Sequence, residues 1–473
     1  MSKFNSKAVP KNRTINLAGG SAYSIDAEHE LTSIVLTSFC DNQYYRSNDN
    51  TIKRIKELMP QCKAKYIAKL ALYARNEIGM RSITHVIASL LAPRLSSKKW
   101  AKDFYQRIVA RPDDMYEIIA YHKSNDNKLS AAMKKGFAIK LSELNEYSLS
   151  KYKMENKDWK MVDIVNLLHP KSTPALDKLM HGTLQPPNTW EVEYSRIGQM
   201  EIGDGEKRKL RIAFWIENLN NNKIGYMALL RNLRNIALLK DKVLLDLALE
   251  RLCNKSHIRN SKVLPFRFST AYTEIIKGND IPNASLIASA ISKATNLACE
   301  NISKLDDTAV IVDISGSMSG NPAEIASLFA AMLTHNNPTV DIVKFSTDAK
   351  YHNYNAHDSI ITIAQNLKFA GGGTNFQSAI KCLNRPYKRI ILLSDMQSWA
   401  HQGVNKAYND YCRKFGCEPY FYSFDLVGYG TSLLPQSKVI EIFGFSEKIL
   451  ELIPVLETDK IGLTNIIHMS SDL

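Results

Sequence analysis

Cysteine is sparse in this chain and follows no pairing pattern. The seven cysteines, Cys40, Cys62, Cys253, Cys299, Cys382, Cys412 and Cys417, are odd in number and contain no C-x-x-C pair. That argues against a disulfide framework or a zinc ribbon and for a reducing compartment, with the cytoplasm as the expected location. Long apolar runs are missing as well. No stretch of about 18 apolar residues occurs, so no membrane span is expected. The opening "MSKFNSKAVPKNRTINLAGG" lacks the apolar core of a secretory signal. Two catalytic signatures also fail. A nucleophile elbow needs G-x-S-x-G, but the third residue counted from Gly316 is Met318, and no lysine stands where a P-loop requires G-K-[ST].

What the chain does have is length and an uneven charge. At 473 residues, 45% hydrophobic and 23% charged, it has the composition of a soluble globular protein of two or three domains. Residues 1–300 carry 47 Lys+Arg against 30 Asp+Glu, a net +17, and residues 301–473 carry 14 against 17, a net −3. A positive surplus confined to one part points to a polyanionic partner for that part, with a merely solubilising surface as the plainer explanation.

The two parts differ in grammar. From about residue 27 to 300 the apolar spacing is helical. "AKYIAKLALYARNEIG" (64–79) and "RSITHVIASLLAPRL" (81–95) form one pair with a Gly stop between them, "MALLRNLRNIALL" (227–239) and "DKVLLDLALERL" (241–252) another, and "NASLIASAISKATNLA" (283–298) follows. Helical pairs with short connections predict an α-solenoid of HEAT type. "QPPNTWEVEYSRIGQMEIGDGEK" (185–207) reads as a long irregular stretch, either functional or mobile. Near residue 306 strands begin to alternate with helices: strands at 308–315, 340–345, 389–395 and 419–426, helices at 322–335, 375–383, 404–416 and 447–457. That alternation predicts a doubly wound, mostly parallel sheet whose ligands bind at the strands' carboxyl ends.

Three oxygen-bearing clusters fall at such ends. Asp313, Ser315 and Ser317 lie in "VDISGSMSG", Thr374 follows Gly371–Gly373, and Asp395 follows "RIILLS". Magnesium takes six oxygens at short range, and manganese suits similar donors. Two serines at i, i+2 can ligate from one turn, a threonine adds a third hydroxyl, and the aspartates can hold bound water. With few direct carboxylates, the ion stays electrophilic toward an outside acid. The alternative is a metal-dependent nuclease using Asp313 and Asp395, although two-metal hydrolysis usually needs several bridging carboxylates.

The order D-x-S-x-S, T, D resembles the metal-ion-dependent adhesion site of von Willebrand factor A domains, residue by residue at Asp313, Ser315, Ser317, Thr374 and Asp395. The resemblance implies binding of a metal and a partner's carboxylate, with no catalytic step. In the first part, "NLAGGSAYSID" (16–26), "KKGFAIKLSELNEYSLSKYK" (134–153), "VDIVNLLHPK" (162–171), "LLRNLRNI" (229–236) and "SKVLPFRF" (261–268) occur in order, and "ILLSDMQSW" (391–399) follows. Together they resemble the Ro autoantigen family, bacterial- or phage-type relatives included, in which a TROVE domain (here 16–300) precedes an A domain (here 306–473).

That resemblance implies a closed ring of HEAT-like repeats. It also implies small noncoding Y-like RNAs on the outer surface and single-stranded 3′ ends of misfolded or structured RNAs in the central hole. The role would be a scaffold in RNA quality control, with an acidic protein ligand or an exoribonuclease as a further partner. Lys134, Lys135, Lys140, Lys151, Lys153, Lys157 and Lys160 crowd one region with Phe137, Tyr152 and Trp159. Cations there can meet phosphates, and exposed aromatics can stack on bases; the plainer reading is solvated lysines and core rings. Lys151 and Lys153 match a basic family segment, while Glu155 departs from it. His169 aligns with a family histidine linked to Y-RNA contact. Arg231 and Arg234, one helical turn apart, support the ring or face its hole. Arg267, between Phe266 and Phe268, reads equally as a buried helix-linking arginine or an RNA contact.

Overall fold

The computed structural model describes residues 13–38, 47–154, 157–185, 189–261, 263, 265–300, 302, 304–335, 337–369, 371–397, 403–434, 439–443, 450, 453–454, 456–457, 463–470 and 473. From Ala27 to Ala298 it is a succession of helices. Their starts are marked by short polar caps: the side chains of Asp26, Ser47, Ser130, Asn145, Thr173, Thr189 and Asp241 each accept a hydrogen bond from a first-turn N–H. Helix Ala64–Asn76 packs on Ala101–Ile108, Ser82–Leu91 on Pro112–Ser124, and Ala101–Ile108 on Ala131–Ser142. Packing of each helix on its next-but-one neighbour is the mark of a two-layered solenoid. Where the last pair crosses, a Cβ on Gly136 would lie 2.5 Å from the Lys102 carbonyl oxygen and 2.6 Å from the Tyr105 Cβ. Only glycine fits there.

The array has two cores. Leu31 to Leu184 form one that continues into the second half through Val310, Val312, Leu393 and Phe424. Ile197 to Ala294 form the other, around the fully buried Trp215. The stretch 185–207, expected to be irregular, is largely helical, with Trp190–Gln199 and the start of Asp204–Asn220. Gly203 caps the second of these helices, and Trp190, Tyr194 and Ile197 recur at helical spacing in the first. The Trp190 and Tyr194 rings pack on Trp215 at 5.8 and 5.6 Å.

Nine strands are described: β1 (Arg13–Ile15), β2 (Ser21–Ser24), β3 (Thr308–Asp313), β4 (Asp341–Phe345), β5 (Ala349–His352), β6 (Arg389–Ser394), β7 (Tyr420–Asp425), β8 (Thr431–Ser432) and β9 (Val439–Phe443). The main sheet has the order β5-β4-β3-β6-β7-β9 and is parallel except for the β4–β5 pair. β3 and β6 are buried along their whole length, as their unbroken apolar runs require. After β3 the chain moves outward to β4 and β5, then returns to place β6 on the other side of β3. The β3/β6 carboxyl ends are therefore a topological switch point, where open α/β sheets bind ligands. Strands β5 and β9 and helix Ile360–Asn366 add to the elements expected from the sequence. The helix expected at 447–457 lies largely outside the described residues.

The α/β half touches both ends of the helical array. Helix Ala27–Thr37 packs on β9, and the last helix, Leu463–Met469, packs on Ala27–Thr37 and Ala64–Asn76. At the other end, helix Pro265–Lys277 packs on Asn321–Thr334, and Ala284–Ala298 packs on Ile360–Asn366. Ser33 Oγ donates to Asp425 Oδ2 at 3.0 Å, and Ile360 N–H donates to Asn296 Oδ1 at 3.1 Å. The hairpin of β1 and β2, which precedes the helices in the chain, pairs antiparallel with β8, with Tyr23 opposite Ser432.

Candidate functional site

The switch point gathers the oxygen-rich residues. Asp313 ends β3, a tight 3-10 turn follows at Gly316–Met318, and Asp395 directly follows β6. Two backbone hydrogen bonds zip the Thr374 loop to the serine loop: Gly316 N–H to Gly372 O and Gly371 N–H to Ile314 O, both 3.1 Å. Gly371 and Gly372 have φ of +73° and +99°, conformations that favour glycine and that explain the run before Thr374. The Ser315 and Ser317 hydroxyls lie 3.3 Å apart. Asp313 Oδ1 accepts from Ser315 N–H at 2.9 Å, and its Oδ2 accepts from Ser394 Oγ at 2.6 Å. Asp395 Oδ1 accepts from Gln397 N–H at 3.1 Å. Asp313, Ser315, Ser317, Thr374 and Asp395 are all buried.

The electrostatics are unfavourable for this acid pair alone. Burial pushes the Asp313 carboxyl up, against hydrogen bonds from Ser394 and Ser315. Burial and the charge of Asp313 push Asp395 up further, with Asp425 adding to the effect and Ser317 and Gln397 opposing it. Asp395 Oδ2 is buried without a hydrogen-bond partner. Two desolvated carboxylates with an orphan oxygen and convergent hydroxyls are a donor set that a hard divalent cation would complete. Met396, next in the chain, is buried with φ +59°, a costly conformation for a long side chain. No cluster of three His, Cys, Asp or Glu suited to a metal occurs among the described residues. Any metal here must rest largely on hydroxyls. The nearby Asp425 is already committed to Ser33, Val427 and Gly428. Among the described residues that leaves two carboxylates, where the nuclease alternative calls for several.

Sequence reasoning missed Ser394, which holds Asp313, although "LLSD" contains it. It also missed Gln397, whose Oε1 accepts from Leu17 N–H at 2.7 Å and ties the first hairpin to the rim of the site.

The cationic residues are more dispersed. Lys134 and Lys135 are exposed at the start of helix Ala131–Ser142. At its far end, roughly 12 Å away along the axis, Ser142 Oγ donates to the Lys171 carbonyl at 2.9 Å and draws in the His169 segment. His169 is exposed and caps helix Met161–Leu168 in the left-handed conformation, φ +48°. Its role is therefore at least partly structural. Lys151 is exposed and lies over the Tyr147 ring at 5.7 Å, while Lys153 is half-buried. Of the aromatics read as stacking platforms, Phe137 is core, packed edge-on to Tyr105 at 5.6 Å, and Tyr152 carries Arg111 over its ring at 5.3 Å.

Arg231, Arg234 and Arg267 come together. They line one cavity of about 490 Å³ between helices Tyr226–Leu238 and Pro265–Lys277, with Leu230, Leu233 and Ile275 as apolar lining and Glu274 as the one acid among the lining residues. All three are exposed, so Arg267 is not a buried link between helices. Its guanidinium stacks over Phe266 at 4.8 Å. None of the three forms an ion pair among the described residues.

A helical array joined to an α/β module with a hydroxyl-rich cluster at its switch point defines a two-part protein. A family model described as the TROVE domain matches residues 32–201 and 183–280, more than half of the chain, and the chain belongs to that family. The two matches overlap where the two cores part. Telomerase protein component 1 of Mus musculus is 23% identical, covering 48% of this chain and 12% of that protein. The Rattus norvegicus protein of the same name is 22% identical with the same shares. The chain thus spans only 12% of the length of these relatives. Among solved structures, the Ro (RSR) protein of Deinococcus radiodurans aligns with a TM-score of 0.61, covering 90% of this chain and 99% of that chain, at 16% identity. The two share an architecture in which a long helical region is followed by a six-stranded, mostly parallel α/β sheet.

Proposed function

We propose that this protein binds RNA through its helical half and a protein partner through its α/β half. Structured RNA of the small noncoding, Y-like kind would rest on the surface carrying Lys134, Lys135, Lys151, Lys153 and His169. Single-stranded 3′ ends would meet the Arg231, Arg234 and Arg267 cavity. The observation that carries this reading is the convergence of three guanidiniums from two helices on a cavity lined by a single acid, Glu274, with which none of them forms an ion pair, within the family-matched, positively charged part of the chain. Arginine contacts phosphate bidentately and stacks on bases, so such a groove suits a flexible strand.

In the other half, Ser315, Ser317 and Thr374 would hold Mg²⁺ or Mn²⁺, with Asp313 and Asp395 binding through water. The ion would supply an open coordination position for an acidic group of the partner, an exoribonuclease among the candidates. The protein is then a scaffold for RNA quality control in the cytoplasm. Gel-shift titration with a duplex carrying a single-stranded 3′ tail, against the blunt duplex, tests the RNA part. Tighter binding of the tailed duplex is expected; equal affinity would overturn the assignment of the arginine cavity to strand ends.

A further inference from the structure

A second cavity, of about 550 Å³, lies at the start of helix Ala64–Asn76, remote in sequence from both cationic surfaces described above. It is lined by Lys63, Ala64, Lys65, Arg94, Lys98 and Trp100. No acidic residue lines it among the described residues. Lys63, Lys65 and Lys98 are exposed and make no ion pair among the described residues. Arg94 is held in place by donating to the Met59 carbonyl and, at 2.7 Å, to the Cys62 carbonyl, so the wall of the cavity is fixed. Trp100 is half-buried and packs against the core, at the N-cap of helix Ala101–Ile108. Helix Ala64–Asn76 begins at Lys63 with no side-chain cap, which leaves its first-turn N–H groups open to an anion.

An aromatic ring that shares a cavity lining with three lysines and no acid suits a ligand with a flat π-face and a phosphate. We propose that this cavity takes an unpaired nucleotide of an RNA strand, its base stacked on Trp100 and its phosphates met by Lys63, Lys65 and Lys98. The inference rests on the RNA-binding reading of the helical half and adds a site of engagement that the charge surplus alone does not locate. The cavity falls within the size range of small-ligand sites. The flexible lysine stems add apolar lining beside the ring.

The test uses the full chain and a short oligouridylate carrying 5-iodouridine. Irradiation should place a crosslink on the peptide containing Trp100. Trp100→Leu should weaken single-strand binding about five- to hundredfold, the range expected for loss of one stacked base, and Trp100→Phe should restore most of it. Changing Lys63, Lys65 and Lys98 together to Gln should lower the log–log salt slope of binding by about 0.7 for each phosphate no longer neutralised, roughly two in all. Those three side chains are exposed, so this variant keeps the fold even where Trp100→Leu does not. RNA bound normally by both the wild type and the lysine variant, with crosslinks only elsewhere, would overturn this site and leave the general RNA reading standing. No RNA bound by the wild type would overturn both.

Discussion

Between Ala27 and Ala298 the cations proposed to meet RNA stand mostly in solvent: Lys134, Lys135, Lys151, Arg231, Arg234 and Arg267 are exposed. Beyond Thr308 the proposed ligands are shut away, with Asp313, Ser315, Ser317, Thr374 and Asp395 all buried and two of their loops zipped together. The difference matches the targets. A polymer of many sequences needs many weak, mobile interactions that add through counterion release. One ion with one outside acid needs few ligands, fixed beforehand. The same folding logic that exposes cations in one half concentrates desolvated oxygen in the other.

One place in the helical half breaks this contrast and gives the largest expected effect. Asp114 is fully buried, with Arg75 Nη2 at 2.7 Å, Arg81 Nε at 3.2 Å and His85 Nε2 at 2.9 Å. Burial pushes its carboxyl up, but His85, Arg75 and the Arg111 N–H together outweigh burial and hold it well below the usual range. Asp114→Asn leaves Arg75 buried beside a neutral amide and should cost about 3–5 kcal/mol, measured by urea unfolding. Because the folded value is depressed, the stability contributed by Asp114 is fully present above the ordinary value of 3.8 and is lost as pH falls below it. Acid titration of wild type and variant should therefore converge at low pH. Parallel curves would mean the network is not what stabilises this region.

The contrast sharpens if the buried site can be emptied without touching RNA. Ser315→Ala with Ser317→Ala removes two hydroxyls from a turn whose backbone bonds remain. Calorimetric titration should show Mg²⁺ or Mn²⁺ affinity reduced at least about tenfold, while RNA affinity stays unchanged. Unaltered metal binding would reduce the loop to a turn. A smaller effect is expected at the dispersed lysine surface. Changing Lys151, Lys153 and His169 together to Ala should weaken structured-RNA binding more than tail binding and lower the salt slope by about one to two. A separate His169→Gly variant should fold at least as well as wild type, since glycine accepts the left-handed cap freely.

How far these features were legible in the sequence follows the same division. Long periodic segments such as 64–79, 227–239 and 241–252 announced their helices, because packing of an apolar stripe dominates there. The sheet strands showed as apolar runs because both of their faces are buried. The oxygen cluster was readable from Asp313, Ser315, Ser317, Thr374 and Asp395, since each sits at a strand end or after a glycine turn. Less visible was anything made by distance in space. Arg267 joins Arg231 and Arg234 only through the packing of two helices, and the β1–β2 hairpin finds β8 across some 400 residues of chain. The stretch 185–207 misled because Gly203 and the acids Glu191, Glu193, Asp204 and Glu206 suit a helix start as well as a loop, and only the packing on Trp215 decides between them.

The most direct test of the central claim is a gel-shift comparison of tailed and blunt duplexes, with wild type and with Arg231, Arg234 and Arg267 all changed to Ala. The wild type should favour the tailed duplex, and the variant should lose that preference while still holding the blunt duplex on its lysine surface. A variant that keeps the full tail preference would contradict the account, because strand-end recognition would then lie outside the groove formed by helices Tyr226–Leu238 and Pro265–Lys277.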